Sequence, residues 1–248
     1  MKLARIVLAV SALPLALGLA ACGKKDAGAP GADSAAPLAK VAPPAGKAWS
    51  DLVVKTADNG YLMGNPDAPI KLVEYGSLTC PHCAEFAVKG FPKLRDTYVN
   101  SGRVSIEFRN FVRDPFDTSM AMLTHCGSPE SFYALTEAVY ANQPAIIDKL
   151  KPVAQELQGT KVAPDQTFIT IGTKGGLVDF FSARGIAKDQ AMTCLGDVKT
   201  AKQLADDVQS SSDKYNITGT PAFIVNGKNV EVATWEALEP ILQGAGAR

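Results

Sequence analysis

The chain has 248 residues, 46% of them apolar, with 25 basic and 25 acidic side chains. That length is enough to bury one substantial core. The even charge balance removes any electrostatic reason to expect a nucleic-acid partner.

The first segment, MKLARIVLAVSALPLALGLAAC, opens with Lys2 and Arg5 and is then apolar from Ile6 to Ala21 apart from Ser11 and Pro14. A positive start followed by a short apolar run reads as an export signal rather than a stable membrane span. It closes on LAAC, Leu19 to Cys22, which resembles the lipobox of bacterial lipoprotein precursors. The resemblance implies a signal peptide over residues 1–21, a lipid on Cys22, and attachment to the periplasmic side of a membrane. The alternatives are an ordinary signal with an incidental cysteine, or an uncleaved anchor. Residues 22–50 are rich in Ala, Pro and Gly and lack any hydrophobic period, so they are expected to form a tether unable to order itself. With Cys22 lipidated, the five cysteines reduce to four in an oxidising compartment: Cys80, Cys83, Cys126 and Cys194.

From Trp49 the pattern is α/β. APIKLVEYG (Ala68 to Gly76) is predicted as a strand, and its unbroken apolar character suits a central place in a sheet. A helix should open at Pro81, a favoured first helical residue, with Phe86, Phe91, Leu94 and Tyr98 at helical spacing. Gly90 and Pro92 within it predict a kink. GRVSIEFRNF (Gly102 to Phe111) alternates Val104, Ile106 and Phe108 as a second strand. Between Asp114 and about Ser212 every apolar pattern is helical, with Ser128 and Asp197 as expected N-caps. Strands return at PAFIVNG and KNVEVA, joined by the hairpin pair Asn226-Gly227, before a last helix in TWEALEPILQ capped by Thr234. The two sheet-forming parts must pair around the helical block. That would bring Cys80 close to Pro221.

The stretch GSLTCPHCAEF holds Cys80 and Cys83 around Pro81 and His82. At the start of a helix, unpaired backbone N–H groups and the positive dipole end face Cys80 and favour its thiolate. A protonated His82 would add a positive charge. Such a pair reads as a reactive dithiol, with Cys80 the nucleophile and Cys83 the shielded resolving thiol. Two other readings compete with it. Structural zinc needs four ligands; there is no second CxxC, and only His125 could add an imidazole. An inert bridge across three residues would close too small a loop to stabilise much.

EYGSLTCPHCAEF resembles the active-site segment of the DsbA family of thiol oxidases, down to the Pro-His dipeptide. YNITGTPAFIVNGK, Tyr215 to Lys228, is similar to that family's cis-proline loop and following hairpin. The resemblance runs from about Asp51 to Gln243. It implies an α/β thioredoxin-like fold built from residues 51–115 and 213–248, with residues 116–212 as an inserted all-helical domain. It also implies Cys80, Cys83, His82 and Pro81 as catalytic, and Thr220 and cis Pro221 as a substrate-binding loop. The Thr220 backbone would pair with an extended substrate. Glu74 matches an acidic position that the family links to proton movement; otherwise it is a strand-end carboxylate facing solvent. Cys126 and Cys194 are expected to bridge, the alternatives being two free buried thiols or a second relay. His125 is expected to be a plain helix residue.

The activity implied is oxidation of reduced exported proteins by a monomer without metal or cofactor, re-oxidised by a DsbB-like membrane partner. An isomerase or reductase is the first rival. Isomerases of the superfamily carry a dimerisation region, whereas a tether precedes the domain here. The second rival is a copper- or zinc-handling protein using the dithiol as ligand.

Overall fold

The computed structural model describes residues 35–160 and 162–248. The expected export signal over residues 1–21 and the expected lipid site at Cys22 lie outside the described residues. The described chain builds a six-stranded sheet in the order β1-β2-β4-β3-β5-β6. Its strands are β1 (Val53–Lys55), β2 (Tyr61–Gly64), β3 (Ile70–Gly76), β4 (Val104–Asn110), β5 (Ala222–Val225) and β6 (Lys228–Asn229). Only β3 and β4 run parallel, in register from Ile70↔Val104 to Gly76↔Asn110; the remaining pairs are antiparallel. β3 lies between β4 and β5, the central place expected from its apolar run.

The edge hairpin β1–β2 has no counterpart in the sequence reading. Its strands have three and four residues, too few to express a period of two, and pair only in the folded sheet. β6 is likewise cut to two residues where KNVEVA reads as a full strand, because Glu231 takes a left-handed conformation (φ 52°). The hairpin itself forms as expected. Asn226 and Gly227 both have positive φ, 48° and 81°, which suits a two-residue turn matched to strand twist.

Side chains alternate across β3. Leu72 and Glu74 share one face with Ile106 and Phe108. Onto this face pack α1 (Pro81–Lys89) and, beyond β4, α4 (Phe132–Ala141), with Phe86 on Phe223 at 4.7 Å and Phe108 on Phe132 at 5.7 Å. Phe223 and Phe132 are fully buried, each contributing roughly 2–3 kcal/mol by area removed from water. The opposite face carries Tyr75 and Ile224 under Ile217.

The expected kink after α1 is a break. α1 ends at Gly90, a short turn α2 (Phe91–Lys93) restarts the chain, and Leu94–Val99 winds as π-helix. Pro92 supplies no backbone N–H to continue the first helix. Gly90 admits no side chain, since a Cβ there would sit 2.7 Å from that of Trp235.

Between β4 and β5 the chain is helical: α3 (Pro115–Thr124), α4, α5 (Gln143–Leu157), α6 (Pro164–Lys174), α7 (Leu177–Ser182), α8 (Lys188–Leu195) and α9 (Val198–Tyr215). Asp197 caps α9 through the N–H groups of Lys199 and Thr200. Ser128 opens only a 3₁₀ turn, Pro129–Ser131, without a side-chain bond. Thr234 caps the last helix, α10 (Trp235–Gly244), through Ala237 N–H.

The tether expectation needs correction over its described part. Residues 35–50 lie against the folded body. Ala35 N–H donates to Gly244 O at 2.8 Å, Leu38 N–H to Gly246 O at 2.9 Å and Val41 N–H to Ser101 O at 2.9 Å. The buried Trp49 donates its Nε1–H to Val41 O at 2.8 Å. A segment with no period of its own is ordered by carbonyls that the end of α10 and the turn before β4 leave free.

Candidate active site

Cys80 sits at the junction of β3 and α1 as the N-cap residue, in extended conformation, with Pro81 opening the helix. The loop before it is held from the helical block. Asp117, fully buried near the start of α3, accepts from Ser77 Oγ at 2.6 Å, Leu78 N–H at 2.8 Å and Arg113 N–H at 3.0 Å. Gln143, at the start of α5, donates to Leu78 O at 2.8 Å and Cys80 O at 3.0 Å. Tyr140 of α4 donates to Ser77 O at 3.2 Å. These three side chains fix the backbone that carries the dithiol. Nothing in the sequence singles them out, because their contacts to this loop span 39 to 65 residues and form only once the chain has folded.

The loop between α9 and β5 completes the site. Thr220-Pro221 is a cis peptide, and Cys80 Sγ lies 3.2 Å from the Thr220 carbonyl. Cys80 and Cys83 are unbridged and buried, at 2% and 0% exposure. The Cys80 thiol is brought down from its ordinary 9.0 to about 4. The largest cause is the Cys83 thiol donating to its sulfur; burial pushes the other way. Thr220 and the backbone N–H groups of Cys83 and His82 then add to the stabilisation of the anion. The Thr220 carbonyl receives the Cys80 thiol proton, and the Thr220 side chain also favours the anion. Cys83 is pushed far up, first by burial, then by its bond to Cys80 and the Glu74 charge. One sulfur is thus an anion and its neighbour a stubborn thiol.

The His82 side chain is 74% exposed and turned toward Glu85, with Nδ1 4.0 Å from Oε2. Its backbone N–H, not its ring, is what favours the Cys80 anion. Glu74 is buried on β3, between Phe108 and Phe223 of the flanking strands, at 3% exposure. Burial, then the Cys80 charge, raises it to about 8, and its Oε1 has no partner. It does not face solvent. Beside His82, a largely apolar hollow of about 180 Å³ runs along Phe86 to Trp235 of α10.

Cys126 and Cys194 form a disulfide, with Cα atoms 5.9 Å apart, tying the end of α3 to α8. None of the dithiol-site residues lines the cleft beside that bridge. His125 is a packing residue. Its ring lies 4.9 Å from Tyr61 and 5.6 Å from Phe132, its Nε2 is 2.8 Å from Asn110 Oδ1, and burial lowers it to about 3. Among the described residues, no group of three or more His, Cys, Asp or Glu side chains is placed to hold a metal ion. No helix among them is long and apolar enough to cross a membrane.

Residues 56–244 match the family model described as thioredoxin. A protein-disulfide isomerase structure from Novosphingobium aromaticivorans matches at TM-score 0.71 and 34% identity, over 75% of this chain and 97% of that one. Wolbachia pipientis alpha-DsbA1 shares the fold at TM-score 0.59 and 23% identity, over 78% and 95% of the two chains. Among curated relatives, disulfide bond formation protein D of Bacillus subtilis is 27% identical over 68% of this chain and 69% of its own length. A putative protein-disulfide oxidoreductase of Rickettsia bellii is 26% identical over 71% of this chain, which spans only 61% of that relative's length.

Proposed function

Since the chain belongs to the thioredoxin family and has the DsbA-like form of its fold, we propose that it is an exported thiol:disulfide oxidoreductase that oxidises dithiols in other exported proteins. The observation that carries this reading is the placement of the dithiol. Cys80 caps the start of α1 with its Sγ 3.2 Å from the carbonyl of the cis Thr220-Pro221 peptide, while Cys83 is fully buried one turn on. This asymmetry favours the Cys80 anion and holds Cys83 as a thiol. Stabilising the reduced form makes the Cys80–Cys83 disulfide a strong oxidant.

A substrate thiolate attacks Cys80 Sγ, the Cys80–Cys83 bond breaks, and Cys83 leaves and takes a proton. A second substrate thiolate then attacks the mixed disulfide, and Cys80 departs as a thiolate. Two electrons pass from substrate to enzyme. One substrate proton ends on Cys83 and the other in solvent. Glu74 supplies the proton to Cys83, since a carboxyl poised at about 8 is largely protonated near neutral pH. The substrate lies across the Thr220-Pro221 loop as an extended strand and rests apolar side chains in the hollow along Phe86 and Trp235. The reading includes a lipid on Cys22 as membrane attachment in the periplasm, and a DsbB-like membrane protein as re-oxidant of a monomer.

The 34% identical relative described as an isomerase favours a second reading, in which the dithiol reshuffles disulfides. Equilibrating Cys80–Cys83 against glutathione decides between them. An oxidase has a potential well above roughly −180 mV, the value of protein disulfide isomerase, and thioredoxin-like poise near −270 mV would defeat the proposal. Cys83→Ser should in addition trap substrates as mixed disulfides on Cys80.

A further inference from the structure

Glu74 exchanges its proton with something, and β3 gives it no route of its own. The answer lies on α4. Tyr133, Thr136, Glu137 and Tyr140 recur there at i, i+3, i+4 and i+7, a single stripe, and all four line a small cavity together with Glu74. The cavity measures about 10 Å³, close to the least that admits one water. Two of its lining residues carry an oxygen that is buried without a hydrogen-bond partner: Glu74 Oε1 and Thr136 Oγ1. Both residues are 3% exposed. Orphaned polar atoms are rare in folded proteins, and two facing one water-sized space mark a hydration site.

The other stripe hydroxyls are engaged. Tyr133 Oη donates to Tyr61 O at 2.8 Å, and Tyr140 Oη to Ser77 O at 3.2 Å. Glu137 is the member that reaches solvent: its side chain is 34% exposed and stands 3.4 Å from Arg95. The ionisable groups around Glu74 are therefore Cys80 and Cys83 from α1, and Tyr133, Glu137 and Tyr140 from α4. Phe108 and Phe223 of the neighbouring strands contribute none.

We propose that one water in this cavity, held between Glu74 Oε1 and Thr136 Oγ1, connects Glu74 to Glu137 and so to bulk solvent. The helical block then supplies the proton path of the sheet-borne carboxylate, with Thr136 and Glu137 as positioning residues. The inference rests on Glu74 being the proton donor to Cys83. After Glu74 has protonated the leaving Cys83, Glu137 picks up a proton from solvent and hands it to the water, which passes one of its own to the Glu74 carboxylate. No electron moves and no proton is lost.

The test is the pH–rate profile for reduction of the oxidised protein by a short dithiol peptide. Thr136→Val keeps the side-chain shape and removes only the hydroxyl. It should slow reduction at neutral pH by about tenfold or more, at the low end of what a positioned proton-transfer group contributes. The Cys80 thiolate absorbance titration should stay unchanged. Thr136→Ser should restore the rate, and Glu137→Gln should reproduce the loss. A Thr136→Val profile that overlays the wild type overturns the route, as does a loss that Thr136→Ser fails to rescue. Glu74→Gln separates the two claims. If it abolishes the pH dependence while Thr136→Val does nothing, the relay stands and this route fails; if it changes nothing, both fall.

Discussion

Reducing the Cys80–Cys83 bond should change how the stability of this protein depends on pH. In the reduced protein Cys80 is brought from 9.0 to about 4. Between those values the folded state carries one proton fewer at this site than the unfolded chain. The stability of the reduced form therefore rises with pH by about 1.4 kcal/mol per unit, and is lost as pH falls through about 4. From pH 4 to pH 7 the gain is at most about 4 kcal/mol, equivalent to roughly 90 mV of oxidising power. The oxidised protein has no such group.

Glu74 acts in the opposite direction, raised from 4.5 to about 8, so its contribution is lost as pH rises. Burial is its larger cause and is common to both redox forms, so that part cancels when the two are compared. The part due to the Cys80 charge does not cancel, which makes 4 kcal/mol an upper figure. Asp117, raised to about 7 mainly by burial, cancels likewise. Urea unfolding of both redox forms at pH 4 and pH 7 measures the difference. The stability of the reduced form relative to the oxidised form should improve by several kcal/mol between the two pH values. A difference that does not move with pH would refute the claim that an anion at Cys80 drives the oxidation.

Three further outcomes follow from the same geometry. Cys83→Ser removes the thiol that contributes most to the Cys80 anion, while His82→Ser leaves the backbone N–H in place. Thiolate titration should accordingly show the smaller upward shift in the histidine variant, and a larger shift there would locate the stabilisation in the imidazole. Asp117→Ala strands three buried or half-buried donors. Thermal unfolding should show a loss of about 2–4 kcal/mol, together with slower oxidation of a dithiol peptide; an unchanged melt would mean that the loop holds itself. Replacing Cys126 and Cys194 by serine opens a link across 68 residues. Denaturant unfolding should register about 4 kcal/mol of lost stability on the loop-entropy model, with the Cys80–Cys83 potential little changed; a large change in potential would make the second bridge part of the redox site.

The legible features were the local ones. A proline after Cys80 opens α1, Asn226-Gly227 turns a hairpin, and Asp197 caps α9, because each needs only its immediate neighbours. β1 and β2 were not legible, since strands of three and four residues owe their existence to the sheet edge they join. The Ala/Pro/Gly segment read as unable to order itself. On its own it cannot, yet from residue 35 it binds to carbonyls supplied by α10 and the turn before β4.

The candidate site divides along the same line. The sequence by itself determined that two cysteines one helical turn apart would sit at a helix start, where backbone N–H groups stabilise a thiolate, and that a Thr-Pro loop would return to meet them. Tertiary structure decided the rest. It buried Glu74 within the sheet face, turned the His82 ring outward, and brought Asp117, Gln143 and Tyr140 from the helical block to hold the loop. Burial and long-range hydrogen bonding depend on which surfaces meet after the chain has closed, and no local spacing of residues encodes that.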